Sequence, residues 1–213
     1  MKVKTVRQQL YSILKQRIMD GEYEPGEHLN IDAIGRELGV SNSPLREALT
    51  LLVKDGLVEI RPNVGMNVMS FSPQKYLELV DMVNTWIIGA YNLCVRDQKT
   101  DLLIQILEEQ YRVMEDAGKA SKNKEFIYAI LDFERSFVRA TGNQLFISTF
   151  DSSFDAFRLA YYYNHIGLAL SYEKNLQRAH AVIEAVRIGA VEDVQDAIWG
   201  WSVIHFKEGQ MAV

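Results

Sequence analysis

Two sets of residues in this chain are of types and spacings that could do chemistry. The first is Gly39-Val40-Ser41-Asn42-Ser43-Pro44-Leu45-Arg46-Glu47-Ala48-Leu49. Read as a tight turn and then a helix, it puts Leu45, Ala48 and Leu49 on one face and Arg46 on the opposite, solvent side. A guanidinium there can bridge O6 and N7 of a guanine. Ser43 can hydrogen-bond a phosphate or a base, and the open N–H groups of the helix start favour a phosphate. The second set is Glu134, His180 and His205, residues of metal-ligating type scattered along the C-terminal half. They form no clean ligand motif. The chain also has no nucleophile elbow and no phosphate-cradling glycine loop. The expected chemistry is therefore recognition, and an enzyme is not expected.

The elements that would position Arg46 read plainly. Val6, Leu10, Ile13, Leu14 and Ile18 recur at helical spacing from about Thr5 to Met19. Asp20-Gly21 and the cluster Tyr23-Glu24-Pro25-Gly26-Glu27 stop that helix. Asn30 can cap a short second helix, Ile31 to Leu38, with Gly39 as its left-handed stop. Ser43 reads as the N-cap of the third helix, with Pro44 at its first position, and the helix runs to about Lys54. Two strands follow, Leu57–Arg61 and Met66–Met69, joined by Pro62-Asn63-Val64-Gly65. This order predicts a winged helix-turn-helix over residues 1–71, which places its third helix in a DNA major groove.

Beyond Ser70-Phe71-Ser72-Pro73 the strand signals vanish. Residues 72–213 predict an all-α antiparallel bundle of six helices, at about 73–97, 100–117, 122–141, 144–164, 171–188 and 191–208. The breaks are Asp97-Gln98-Lys99, Gly118, Thr141-Gly142-Asn143, Asn164–Gly167 and Gly189. The fold class is mainly α throughout.

Composition bounds this reading without carrying it. The chain has 213 residues, 48% hydrophobic and 24% charged, with a net charge of −5. About nine basic and nine acidic residues precede Phe71, so the acidic balance belongs to the second half (14 − 19 = −5). Charge alone does not point to nucleic acid. No apolar run reaches the length of a membrane span, and Gln8-Gln9 follow the basic start where a signal core would be apolar. A cytoplasmic protein with no membrane partner is expected. Cys94, the single cysteine, is expected to be a buried thiol.

At the residues quoted, the chain resembles the GntR family of bacterial transcription regulators. The family signature is similar to Gly-Val-Ser-Arg-Thr-Pro-Val-Arg-Glu-Ala-Leu, then a Gly-Leu-Val strand and a Pro-Asn-x-Gly wing. The helical half resembles the FCD domain of the FadR-like subfamily, and six helices suggest its VanR-like branch. The resemblance implies a homodimer that binds a palindromic double-stranded DNA operator and answers to a small-molecule effector held in the bundle. It implies DNA contacts by Asn42, Ser43, Pro44, Arg46, Thr50, Asn63 and Gly65. Asn42 departs from the family arginine. Asparagine can read adenine but carries no charge, which implies an altered operator preference and a shallower salt dependence. Val64 stands where the family often has a basic wing residue. Lys2, Lys4 and Arg7 could add phosphate contacts.

Many FCD domains resemble one another in a metal site of one aspartate and three histidines. Those positions fall here on Ile130, Glu134, Ala179 and Trp201, so no metal ligand carries over and the cofactor is left open. The effector pocket is expected around Glu134, Arg158, His180 and Trp201. Three arrangements remain open. Glu134, His180 and His205 could build an improvised divalent-metal site. The histidines could instead be satisfied interior or interface residues, with Glu134 paired to a base such as Arg158. Or the pocket could be metal-free and hold a more apolar ligand among Phe133, Phe137, Tyr161, Tyr162, Tyr163, Trp199 and Trp201. Three consecutive tyrosines cannot all face one core, so at least one is expected in the pocket or at a dimer contact.

Overall fold

Helix starts and stops set most of the architecture. Thr5 and Gln8 form a reciprocal capping box, with the Gln8 N–H donating to the Thr5 hydroxyl and the Thr5 N–H to the Gln8 side chain. That opens α1 (Val6–Met19). Asn30 accepts from the Ala33 N–H at 3.0 Å and opens α2 (Ile31–Leu38), which Gly39 closes at φ 66°. The computed structural model describes residues 5–165 and 171–210, with 202–210 described by backbone alone. The chain divides into two compact units, Met1–Ser72 and Pro73–Val213.

In the first unit α3 (Asn42–Lys54) follows α2, and β1 (Val58–Arg61) pairs antiparallel with β2 (Gly65–Val68), Val58 opposite Val68 and Arg61 opposite Gly65. The α3 cap is Ser41, not the predicted Ser43. Pro44 therefore lies two residues further into the helix than predicted. It still falls in the first turn, where its missing N–H breaks no intrahelical bond. The wing has a third edge that the sequence reading missed. The Val68 N–H donates to the Glu27 carbonyl at 2.9 Å, the Leu29 N–H donates to the Met66 carbonyl at 2.8 Å, and His28 bridges Asn67.

Leu10, Leu14 and Ile18 of α1 meet Leu45, Ala48, Leu49 and Leu52 of α3 in one buried core. Polar ties surround it. The Tyr11 hydroxyl donates to Asp55 at the end of α3, and Arg17 reaches Glu37 at 2.6 Å.

The second unit contains α4 (Pro73–Arg96), α5 (Thr100–Lys119), α6 (Asn123–Ala140), α7 (Gln144–His165), α8 (Tyr172–Ile188) and α9 (Val191–Gln210). These are the six predicted helices. α4 packs on α6, α7 and α9, α5 packs on α6 and α8, and α8 packs on α9. Gly142 at φ 67° turns the chain between α6 and α7, and Asn143 accepts from the Phe146 N–H at 3.1 Å to start α7. Arg135 and Asp151 clamp the two helices through paired bonds of 2.8 and 2.5 Å. Phe150, Phe154 and Phe157 form a buried aromatic ladder along α7, with the first two ring centroids 4.6 Å apart. Tyr161 and Tyr162 are buried and Tyr163 is half-buried, so two of the three tyrosines do face the core. Cys94 is buried, and burial pushes its thiol up to about 11. Among the described residues no helix is long and apolar enough to cross a membrane.

Leu49 is fully buried under α3. Leu49→Ala should cost about 2–5 kcal/mol of first-unit stability by leaving a cavity. Urea unfolding followed by circular dichroism measures it.

Candidate nucleic-acid interface and bundle cavity

The buried underside of α3 leaves Asn42, Ser43, Arg46, Glu47 and Thr50 exposed, with Pro44 half-buried. Arg46 makes no side-chain hydrogen bond or ion pair among the described residues, and neither do Arg36 and Lys54. The Thr50 hydroxyl donates to the Arg46 carbonyl at 2.8 Å, which leaves the guanidinium open. Glu47 would place a negative charge beside it, but Arg7 lies 3.7 Å from the Glu47 carboxylate. Arg7 thus offsets an acidic neighbour, a use the sequence reading did not foresee. Lys2 and Lys4 lie outside the described residues. The Ser41 side chain makes no cap bond, so the first N–H groups of α3 stay open to an anion.

Asn42 is placed differently from the adenine-reading role suggested for it. Its side-chain amide donates to Asp32 of α2 at 2.6 Å. Its Oδ1 lies where a Cβ on Gly35 would come within 3.1 Å. The amide N–H is thus bonded to α2 and the oxygen lies close to Gly35, so the side chain braces the turn between the two helices. At the wing, Asn63 at φ 61° and Gly65 at φ 108° are exposed. The His28 ring lies against Gly65, where a Cβ would come within 3.0 Å of it. The glycine is thus fixed by backbone angle and by the packed imidazole together. Arg61 is spent on Glu59 and Ser70, at 2.8 and 3.0 Å.

The second unit has its own candidate site, a tight cavity between α4, α6, α8 and α9 with a free volume of about 10 Å³. Phe133, Phe137 and Trp201 give it aromatic walls, while Glu134 and Asn84 are polar. Aliphatic Ile87, Val182 and Ile198 complete the lining. Trp201 is held by its indole N–H, which donates to Asn175 at 3.3 Å. Glu134 is 9% exposed, and its Oε2 has no hydrogen-bond partner among the described residues. Burial pushes its carboxyl up to about 8. Burial, and then the charge of Glu134, push the Tyr76 phenol far above its usual range.

Of the four residues expected in the pocket, the structure brings together Glu134 and Trp201 and leaves out the other two. Arg158 pairs with Asp155 at 3.8 Å and sits over the Tyr128 ring, so it does not neutralise Glu134. His180 is exposed, edge-on to Tyr111 in a groove between α5 and α8. Its neighbour Ala179 takes the buried side of α8, and one residue turns a side chain by about 100°. The His205 side chain lies outside the described residues. No group of three or more metal-ligating residues occurs among the described ones. Asn84 and Tyr76 were missed. The signal was present, because Tyr76, Val80, Asn84, Ile87, Tyr91 and Cys94 follow one stripe and Asn84 is the amide within it.

A winged helix-turn-helix followed by a separate helical bundle defines a DNA-binding regulator of transcription. Residues 6–68 match the family described as bacterial regulatory proteins, gntR family, and residues 92–200 match the FCD domain. The chain belongs to the GntR family. It is similar to the uncharacterized HTH-type transcriptional regulator YdhC of Bacillus subtilis, 34% identical over 54% of this chain and 50% of that protein. It is also similar to the HTH-type transcriptional repressor RspR of Escherichia coli, 37% identical over 32% of this chain and 29% of that one. The chain thus matches half or less of the length of these relatives. A GntR regulator structure from Rhodococcus sp. RHA1 shares the fold, with a TM-score of 0.76 at 18% identity over 97% of this chain and 98% of that one.

Two outcomes follow from these geometries. Asn42→Ala should lower thermal stability by about 1 kcal/mol through loss of the Asp32 bond, with base preference unchanged in a binding-site selection. A shifted preference would make Asn42 a base contact. Because the folded-state pKa of Glu134 is raised, the folded chain holds that proton more tightly than the unfolded one. This contribution is complete below the unfolded value of 4.5 and is lost as pH rises through about 8. The melting temperature should therefore fall between about pH 5 and about pH 9, and Glu134→Gln should flatten the fall.

Proposed function

We infer that this chain is a cytoplasmic, homodimeric transcription regulator whose operator affinity is set by a small molecule bound in the α4–α9 bundle. The observation that carries the DNA half is Arg46, open and unpaired above a fully buried α3 underside. Ser43, Pro44 and Thr50 accompany it on α3, and Asn63 and Gly65 form the wing tip. The open α3 N–H groups fix the helix on a phosphate while Arg46 reads a base edge. A two-fold dimer would match a palindromic site, with one α3 in each half-site.

The effector half rests on the FCD match and on the Glu134 cavity. A ligand that binds one dimer arrangement better than another shifts the spacing of the two recognition helices. A coupling of about 1–3 kcal/mol changes operator affinity by about 5- to 150-fold. The residues present do not suit a metal of the kind the FCD resemblance implies. Ile130, Ala179 and Trp201 supply no ligand at three of the four matching positions, and His180 faces away from the cavity.

A gel shift against the promoter of the neighbouring gene tests this reading. Arg46→Ala should weaken the shift by about 1–3 kcal/mol, roughly ten- to a hundredfold. Its melting temperature and its dimer on size exclusion should match those of the unaltered chain. An unaltered shift in the variant would remove Arg46 from the interface.

A further inference from the structure

We propose that the cavity beside Glu134 binds the ammonium group of a small amine with an apolar body, gripped by the Glu134 carboxylate and the rings of Phe133, Phe137 and Trp201 without a metal. The inference rests on the effector reading above and names the chemical class of its ligand.

The first argument is an unmet bond. Glu134 is nine-tenths buried, lines the cavity, and has an oxygen with no partner among the described residues. Buried acceptors left open are costly and rare, more so when they can carry charge. The Tyr76 hydroxyl is likewise buried with no hydrogen-bond partner among the described residues, and it feels the charge of Glu134. Among the described residues of the lining there is no lysine, arginine or histidine.

The second argument is the wall. The Phe133 and Trp201 rings lie 5.5 Å apart at 57°, and the Phe133 and Phe137 rings lie 6.5 Å apart at 72°. Aromatic rings around a carboxylate in a dry site favour a cation through their quadrupoles. The third argument is size. A free volume of about 10 Å³ takes a group the size of one water, which suits an ammonium head. An apolar body would need Ile87, Val182 and Ile198 to part, because the free volume ends with the head. A carboxylate ligand would find no cation among the described lining residues to offset its own charge. Among the described residues a divalent metal would find a single carboxylate, too few donors for a closed site.

The test uses the full chain, freed of metal by chelation, and three probes with one body and different heads: n-butylamine, n-butanol and butyrate. Thermal shift and isothermal titration read binding. n-Butylamine should raise the melting temperature and bind at least about tenfold more tightly than the other two. Glu134→Gln, which removes a buried charge and so should fold, should lose about tenfold for the amine and nothing for the alcohol. If that variant does not fold, the ranking of the three probes on the unaltered chain decides by itself.

Equal binding of amine and alcohol overturns the proposal. So does a preference for butyrate, an absence of amine binding at millimolar concentration, or binding that appears only after zinc or nickel is restored. The operator shift is measured on the same preparation. An intact shift without amine binding removes the ligand class and leaves the regulator reading standing. A missing shift in the unaltered chain removes the regulator reading itself.

Discussion

Everything on the DNA side of this chain depends on the burial of one stripe of α3. Leu45, Ala48, Leu49 and Leu52 are each fully buried against α1 and the strands. A helix with four such residues on one face has no freedom to roll. Rotation by even one residue, about 100°, would expose a leucine and bury Arg46 or Glu47. Burying an unpaired guanidinium costs several kcal/mol, so packing of the stripe and exposure of Arg46 are one constraint seen from two sides. The polar ties tighten it. Tyr11 holds the end of α3 through Asp55, and Asn42 holds its start through Asp32. The helix is pinned at both ends, and its readable residues lie between the pins.

The second unit is governed by the opposite kind of constraint, a polar group kept where polarity is expensive. α6 buries ten residues besides Glu134, which is the only one of them that can carry a charge. Its raised pKa follows from that burial. A core selected for stability alone would fill the position with an apolar residue of similar volume, at no loss or even a gain. A carboxyl oxygen with no partner among the described residues at a cavity wall is the observation on which the proposed ligand site rests.

The outline of the fold was legible because the chain punctuates itself. Gly39, Gly142 and Gly189 take left-handed angles at the predicted helix ends, and Asn30 caps as its position suggested. What escaped was decided by contacts across sequence distance. Ser41 and Ser43 are equivalent caps by local propensity. The Asp32 bond to Asn42, ten residues apart, accompanies the earlier start. The Gly26–Leu29 edge has too few residues to show a strand period and exists because β2 offers it open carbonyls and N–H groups. In the bundle, counting from Gly142 located Glu134, and counting from Gly189 located Trp201. His180, one residue past a matching position, turns to solvent because Ala179, Val182, Ile183 and Val186 take the buried side of α8.

The substitutions at the family metal positions are therefore not a simple loss. Ile130 and Ala179 are fully buried, and Trp201 is buried with its indole N–H bonded to Asn175. Asn175 in turn donates to the Ser171 carbonyl at 3.0 Å, where α8 begins. Three positions that could have supplied ligands now supply apolar volume or an anchored aromatic wall, and the fourth keeps a carboxyl. Removing a cation while keeping a carboxylate inverts the electrostatic preference of the space. A metal centre attracts anions, whereas a buried carboxyl raised to about 8 becomes charged most readily beside a cation. The wall that would respond is Trp201, whose bond to Asn175 ties the cavity to the start of α8. The polar side is Glu134 of α6 and Asn84 of α4, the helix whose first residue, Pro73, follows the first unit directly in the chain.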